Sequence, residues 1–191
     1  MKKDLGIVPA VYPMPVLMVA TYDEEGTADV MAAAWGMICE PDQIALFLDR
    51  NRKTTANILK NRAFTVSLAD RAHMEEADYF GLVSGSRVKD KLKRAGLTAV
   101  RSTRVNAPIL EEFPVVMECE LAEVVDTACL YCLVGKIRNT QADERVLSEN
   151  GKIDPARCDV LIYDELQQGY YRSGEKVGQA FCAGRGFLRQ P

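Results

Sequence analysis

The sequence predicts a mainly β protein, an antiparallel barrel of about six strands with a few peripheral helices. Three observations predict it. Strand-like runs cluster early, between Pro15 and Ala69, and late, between Val115 and Tyr163, with helical patterns between them. Short turns join neighbouring runs, as in hairpins. The regular β-α alternation of a parallel sheet is missing. The chain has 191 residues, which suits a single domain, 1–191, with a sizeable core and with 179–191 as a tail.

The elements follow in order. Pro15 to Tyr22 is apolar and β-branched, a strand. Asp23-Glu24-Glu25-Gly26 is a turn. Ala28 to Trp35 resumes as a second strand. Its nearly unbroken apolar run predicts burial on both faces, or a ligand against one. Glu40-Pro41-Asp42 breaks the chain, and Gln43 to Asp49 alternates around Ile44, Leu46 and Leu48. Thr54 to Asn61 reads as a short helix with Thr54 as N-cap. Ala63 to Ala69 is a strand. From Met74 to Ala95 the pattern is helical, interrupted between Gly81 and Ser86. Val115 to Asp126 and Cys129 to Thr140 form a second hairpin. Val160 to Tyr163 is a short strand, and a Gly-rich stretch follows from Gln168.

Charge and composition exclude several classes. A formal net charge of −3 does not supply the extended basic face that nucleic acid requires. The longest apolar run, Val30 to Cys39, is about half a membrane span. No signal-peptide core follows Met1-Lys2-Lys3, so a cytoplasmic protein is expected. There the six cysteines need not be paired.

The segment Arg50-Asn51-Arg52-Lys53-Thr54-Thr55-Ala56-Asn57-Ile58 concentrates three cations and two hydroxyls at a helix start. Free N–H groups and the positive dipole end converge there, which suits a phosphate. A solvated basic turn would look similar, and both readings stand. The Gly-rich Lys-Ser/Thr loop of nucleoside triphosphatases is absent. Neither Gly81 with Gly85 nor Gly174 with Gly178 has the dinucleotide-binding spacing.

Trp35 ends the run Val30-Met31-Ala32-Ala33-Ala34. Three alanines leave a backbone open to a flat ligand, or let the strand pack tightly against a helix with Trp35 in the core. Cys129 and Cys132 have C-x-x-C spacing, but no second pair or Cys/His partner accompanies them, and a strand would point them to opposite faces. No metal site is expected. The single histidine, His73, is expected to be exposed near a helix start, and no nucleophile elbow is present, so hydrolytic chemistry is not supported.

Taken in order, these residues carry a resemblance: Val11-Tyr12-Pro13-Met14-Pro15, Thr21-Tyr22-Asp23 with Gly26, Val30 to Trp35, Arg50 to Ile58, Phe64-Thr65-Val66-Ser67, Ser84-Gly85 followed by Asp90-Lys91, and Ala107-Pro108. From about Leu5 to Gly178 the chain resembles the flavin reductase-like, FMN-binding split-barrel proteins, and among them the flavoredoxin branch. The resemblance implies a six-stranded antiparallel split β-barrel of Greek-key type, dimeric, with FMN bound in each protomer. It places the phosphate at Arg50, Lys53, Thr54 and Thr55. It places the ribityl chain and ring along Val30, Met31, Ala32, Ala33, Ala34 and Trp35, with Leu48, Asp49, Ser84 and Lys89 nearby. No side chain is implied as a catalyst.

The implied activity is oxidoreduction through FMN, with electrons from NAD(P)H as a transient donor or from a redox protein partner. Two alternatives stand beside it: an FMN electron carrier without nicotinamide activity, and a barrel that binds another cofactor such as haem or acts as an interaction module. Many flavin reductases have Tyr-His and then Gly-x-Tyr near the end of the barrel. Here the region reads Leu161-Ile162-Tyr163-Asp164-Glu165, then Gly169-Tyr170-Tyr171, without the histidine. Asp29 and Ser67 stand where members often have Asn. An acidic Asp29 beside the flavin is expected to disfavour an anionic reduced ring. The stretch from Tyr170 to Phe187 is the expected interface.

Overall fold

The computed structural model describes residues 1–189. The chain forms β1 (Met14–Pro15), β2 (Leu17–Tyr22), β3 (Ala28–Ala33), β4 (Gly36–Glu40), β5 (Gln43–Leu46), α1 (Lys53–Asn61) and β6 (Ala63–Leu68). Then come α2 (Met74–Leu82), α3 (Lys91–Ala95), β7 (Ala99–Arg101), β8 (Pro108–Leu110), β9 (Val115–Asp126) and β10 (Tyr131–Ala142). The last are α4 (Pro155–Cys158), β11 (Leu161–Asp164) and β12 (Gly169–Arg172). Of the tail expected at 179–191, residues 190 and 191 lie outside the described part.

Among the described residues the main sheet has seven strands, in the order β3-β2-β6-β9-β10-β5-β4, all antiparallel. Its two edge strands, β3 and β4, are consecutive in the chain and separated only by Ala34 and Trp35. Laid flat, strands ~4.8 Å apart would put these edges roughly 29 Å from each other. A two-residue link reaches about 10 Å. The sheet therefore curls round until its edges meet at the Ala34–Trp35 kink and diverge from it. The main sheet has seven strands where six are expected, and β4, over Gly36–Glu40, is the strand the sequence reading does not contain. Gly36 marks the seam: a Cβ there would lie 2.7 Å from Leu17 Cδ1 and 2.8 Å from Leu46 Cδ2.

The curl creates two cores. Leu17, Val19, Ile44, Leu46, Ile58, Phe64, Val66 and Leu133 fill the inside. Met18, Ala20 and Val30, from the opposite face of β2 and β3, pack with Phe80 of α2, Leu110 and Leu161. β2 is thus buried on both faces, whereas β3, whose apolar run predicts burial on both faces or a ligand against one, is fully buried only at Asp29 and Val30. Each fully buried aliphatic side chain contributes about 1.5–3 kcal/mol.

Some local expectations need adjusting. The strand expected from Gln43 to Asp49 stops at Leu46, and the long late strand begins at Tyr131. Thr127 accounts for the second shift, because its N–H donates to Leu130 O at 2.9 Å and its Oγ1 accepts from Leu130 N at 3.0 Å, closing a turn. Cys129 is exposed in that turn and Cys132 is buried on β10. Burial pushes the Cys132 thiol up, away from thiolate reactivity. Trp35 is 53% exposed, not core, because it sits at the kink. His73 is more sheltered than expected. Its Nδ1 lies 2.7 Å from Asp70 Oδ1 and its ring meets Phe113 edge-on.

Candidate functional site

Helix α1 opens without a cap. Arg52, in extended backbone, holds the N-cap position, and its side chain makes no capping bond. Thr54, the expected cap, is instead the second helical residue. Its hydroxyl donates to Asp29 Oδ2 at 2.7 Å, and that of Thr55 donates to Asp49 O at 2.8 Å. Neither hydroxyl accepts from the helix, so the N–H groups of Lys53, Thr54 and Thr55 lack a partner within α1. A nine-residue helix presents its positive end to whatever lies before it. Asp49 shapes the approach: its side chain accepts from Asn51 N at 2.9 Å and its carbonyl from Arg52 N at 3.2 Å.

An inner cavity of about 50 Å³ lies against this end, lined by Met31, Ala32, Arg52, Lys53, Thr54, Phe80, Gly81, Val83, Ser84, Gly85 and Lys91. Five residues expected from the sequence meet here: Met31, Ala32, Lys53, Thr54 and Ser84. Beneath it Asp29 and Lys91 form an ion pair at 2.7 Å, each side chain at most 3% exposed. Lys91 Nζ also donates to Val30 O at 2.6 Å. The Asp29 carboxylate is therefore compensated by an adjacent ammonium. Gly85 is required by close approach: a Cβ there would lie 2.1 Å from Asp29 Oδ1.

An outer chamber of about 320 Å³ shares Lys53 and Gly85 with the inner one and adds Asp23, Glu24, Glu25, Asn57, Ser86 and Lys89. Lys53 Nζ pairs with Asp23 Oδ2 at 2.9 Å, and Lys89 Nζ with Glu25 at 3.3 Å. Burial acts to raise the Asp23 carboxyl. Bonds from Lys53 and from the N–H groups of Thr27 and Glu25 outweigh it and hold the group below its ordinary range. Asn57 is 7% exposed, and its Nδ2 has no protein partner, an unspent donor at the chamber wall.

A third cavity, of about 390 Å³, is apolar and lies at the kink. Ala34, Trp35, Gly36, Met37 and Phe47 line it with the N-terminal strap from Pro9 to Pro15. Ala32 and Ala34 stand two apart, on one face of an extended chain, and each lines one cavity. β3 is an edge strand, so one side of its backbone keeps N–H and C=O groups free of the ladder.

The remaining expected residues are placed as follows. Leu48 is buried in the barrel core, and Ala33 packs against it. Val30 is buried in the outer core. Arg50 points away from the inner cavity: its guanidinium pairs with Asp126 Oδ1 at 2.5 Å and lies 4.5 Å from the Tyr131 ring centroid. Arg52 lines the cavity instead. Arg52 and Asn57 belong to the Arg50 to Ile58 segment without being singled out as binding residues in the sequence, and Gly85 and Lys91 line the inner cavity without being expected there. Only Ser84-Gly85 and Asp90-Lys91, quoted for the resemblance, hinted at the last two.

Comparison with known proteins fits this geometry. The sequence model of the flavin reductase like domain matches residues 10–170, and the chain belongs to that family. It is similar to the solved structure of flavoredoxin from Desulfovibrio vulgaris (Miyazaki F), at 36% identity and a TM-score of 0.91, covering 96% of this chain and all of that one. Flavoredoxin from Methanosarcina acetivorans has the same fold, at 24% identity and a TM-score of 0.86, covering 97% of this chain and all of that one. A protein of Aeropyrum pernix is 30% identical over 117 residues, 60% of this chain and 44% of that protein. The chain therefore spans less than half the length of that relative. No helix among the described residues is long and apolar enough to cross a membrane.

Proposed function

We propose that this protein holds FMN and passes electrons through it as an oxidoreductase. The observation that carries the reading is the convergence at the inner cavity of the uncapped α1 terminus, Arg52 and Lys53 with the open backbone edge of β3. One end suits a phosphate dianion and the other suits the polar edge of a flat ring. The residues fit the cofactor on a second count. Asn57 Nδ2 is a buried donor without a protein partner, available to a ligand.

In this reading the phosphate is held by the α1 N–H groups, Arg52, Lys53, Thr54 and Thr55, with Ser84 and Lys89 beside them. Arg50 joins only by leaving Asp126. Met31 to Trp35 carry the ribityl chain and ring, with Val30, Ala33, Leu48 and Asp49 shaping the strand and loop beneath. The bound flavin supplies the electron chemistry. The chain supplies binding, orientation and shelter, and Lys91 keeps Asp29 charge-compensated beneath the site. The barrel is a homodimer, with the Trp35 cleft and the stretch from Tyr170 to Phe187 as the surfaces it covers.

FMN titration of the purified apoprotein tests the reading: flavin fluorescence changes on binding, and mass spectrometry of the molecule released on denaturation identifies FMN. No change with excess FMN refutes it. A second reading, an electron carrier without nicotinamide activity, draws support from the late barrel. There Tyr163 and Asp164 occupy the segment where the resemblance to flavin reductases implies a histidine, and Asp164 accepts from Tyr12 Oη at 2.5 Å. Stopped-flow mixing with NADH and NADPH decides: rapid flavin bleaching indicates a reductase, and none indicates a carrier.

A further inference from the structure

We infer that the turn Asp23-Glu24-Glu25 is a specificity element that restricts this cofactor site to a flavin ending in a single phosphate and disfavours one extended by a second phosphate and a nucleoside. The inference rests on the flavin reading above. A phosphate seated at the α1 terminus faces the outer chamber, because Lys53 and Gly85 belong to both cavities. A group extending from that phosphate past Lys53 and Gly85 enters the outer chamber.

The chamber's charges decide what can follow. Its cations are Lys53 and Lys89, and its carboxylates are Asp23, Glu24 and Glu25. Each cation already has a partner, Lys53 with Asp23 and Lys89 with Glu25. Glu24 reaches out of the chamber to Lys60, at 2.6 Å. Once Lys53 is committed to the first phosphate, a second one meets a wall with more carboxylates than cations. Like charges a few ångströms apart repel. Asn57 Nδ2, the spare donor of this chamber, adds no charge for a second phosphate.

The turn is held in position. Asp23 accepts from the backbone N–H groups of Glu25 at 3.0 Å and Thr27 at 2.9 Å. Asp23 N donates to Thr27 O at 2.9 Å. The carboxylates of Glu24 and Glu25 therefore stand on a fixed loop across from α1, not on a wandering chain end.

The test titrates the apoprotein with FMN and with FAD, following flavin fluorescence. The unmodified protein is expected to bind FMN at least about tenfold tighter than FAD. Raising ionic strength narrows the gap, since repulsion between partly exposed charges is screened. The double variant Glu24→Gln/Glu25→Gln tightens FAD binding by about threefold or more and changes FMN binding by less than about twofold. Both side chains are exposed, so the variant is expected to fold, and the salt series needs no variant at all. Equal affinity for the two flavins, or a gap that neither salt nor the double variant narrows, overturns the inference and leaves the flavin reading intact. Failure to bind either flavin overturns both.

Discussion

The Lys91 ammonium lies 2.7 Å from the Asp29 carboxylate, and both groups are nearly sealed from water. The pair joins the second strand of the opening hairpin to helix α3, across the loop that carries Ser84 and Gly85. A buried ion pair gives little net stability over an apolar pair, but removing one partner strands the other. Here Asp29 also holds the Thr54 hydroxyl, at the start of α1. The pair thus connects three elements that line the inner cavity.

Lys91→Met is expected to destabilise the protein by about 3 kcal/mol, because it leaves a buried carboxylate unpaired. It also removes the donor to Val30 O. Adding Asp29→Asn removes the stranded charge while Asn Oδ1 still accepts from Thr54, so much of the loss returns. Urea unfolding of the single and double variants measures this. A double variant no more stable than Lys91→Met shows that charge is not what the pair supplies.

Gly85→Ala brings a methyl group to 2.1 Å from Asp29 Oδ1 and 3.2 Å from Lys53 Cδ. The first contact is impossible without movement, and Asp29 is held by Lys91 and Thr54. The loop must move instead, at a cost of about 1–3 kcal/mol. FMN binding is expected to weaken with it. Gly169→Ala, away from the cavity, is the control, since a Cβ there meets nothing nearer than the Tyr171 ring at 3.6 Å. Equal FMN affinity in the two variants would show that the Gly85 loop does not touch the cofactor.

Lys53 and Arg50 make an informative contrast. Lys53 lines both polar cavities, whereas Arg50 is engaged with Asp126 and Tyr131. Lys53→Ala is expected to weaken FMN binding about tenfold or more, the effect of losing one charge-assisted phosphate contact. Arg50→Ala is expected to stay within about threefold of the parent protein. Riboflavin, which lacks the phosphate, should bind Lys53→Ala and the parent alike. The reverse ranking of the two variants would place the phosphate on the Arg50 side of the loop.

How much of this was legible in the sequence follows from the range of each signal. The hairpin turn at Asp23–Gly26, the helix after Lys53 and the long strand from Val115 depend on local chemistry, and local pattern reveals them. The closure of the sheet does not, because it depends on Gly36 meeting Leu17 and Leu46 from opposite ends of the strand order. Nor does the exposure of Trp35, which follows from that closure. At the candidate site, the run of cations suits an anion but does not say which arginine lines the inner cavity. Arg50 and Arg52 differ by two positions in a loop, and the direction of Arg50 is set by Asp126 and Tyr131, more than 70 residues away. The Asp29–Lys91 pair was invisible for the same reason.

Glu118 yields a prediction about acid stability away from the site. It is fully buried on β9, where Ser102 Oγ, Asn139 Nδ2 at 2.6 Å and Gln141 Nε2 at 2.7 Å donate to it. Burial acts to raise this carboxyl, but those three bonds and the nearby Arg104 outweigh it and hold the group below its ordinary value of 4.5. A depressed carboxyl stabilises the fold while it is ionised. That contribution is complete above about 4.5, the unfolded value, and is lost as pH falls through the lower folded value. Glu118→Gln puts an amide NH₂ where donors already converge, and is expected to cost about 2–3 kcal/mol at neutral pH. Below the unfolded value the parent progressively loses its own advantage, so the gap between the two proteins should close with acid. Urea midpoints measured from pH 7 down to about 3 follow that closure. A gap that stays constant over the whole series would mean that Glu118 contributes through shape and packing, and not through its charge.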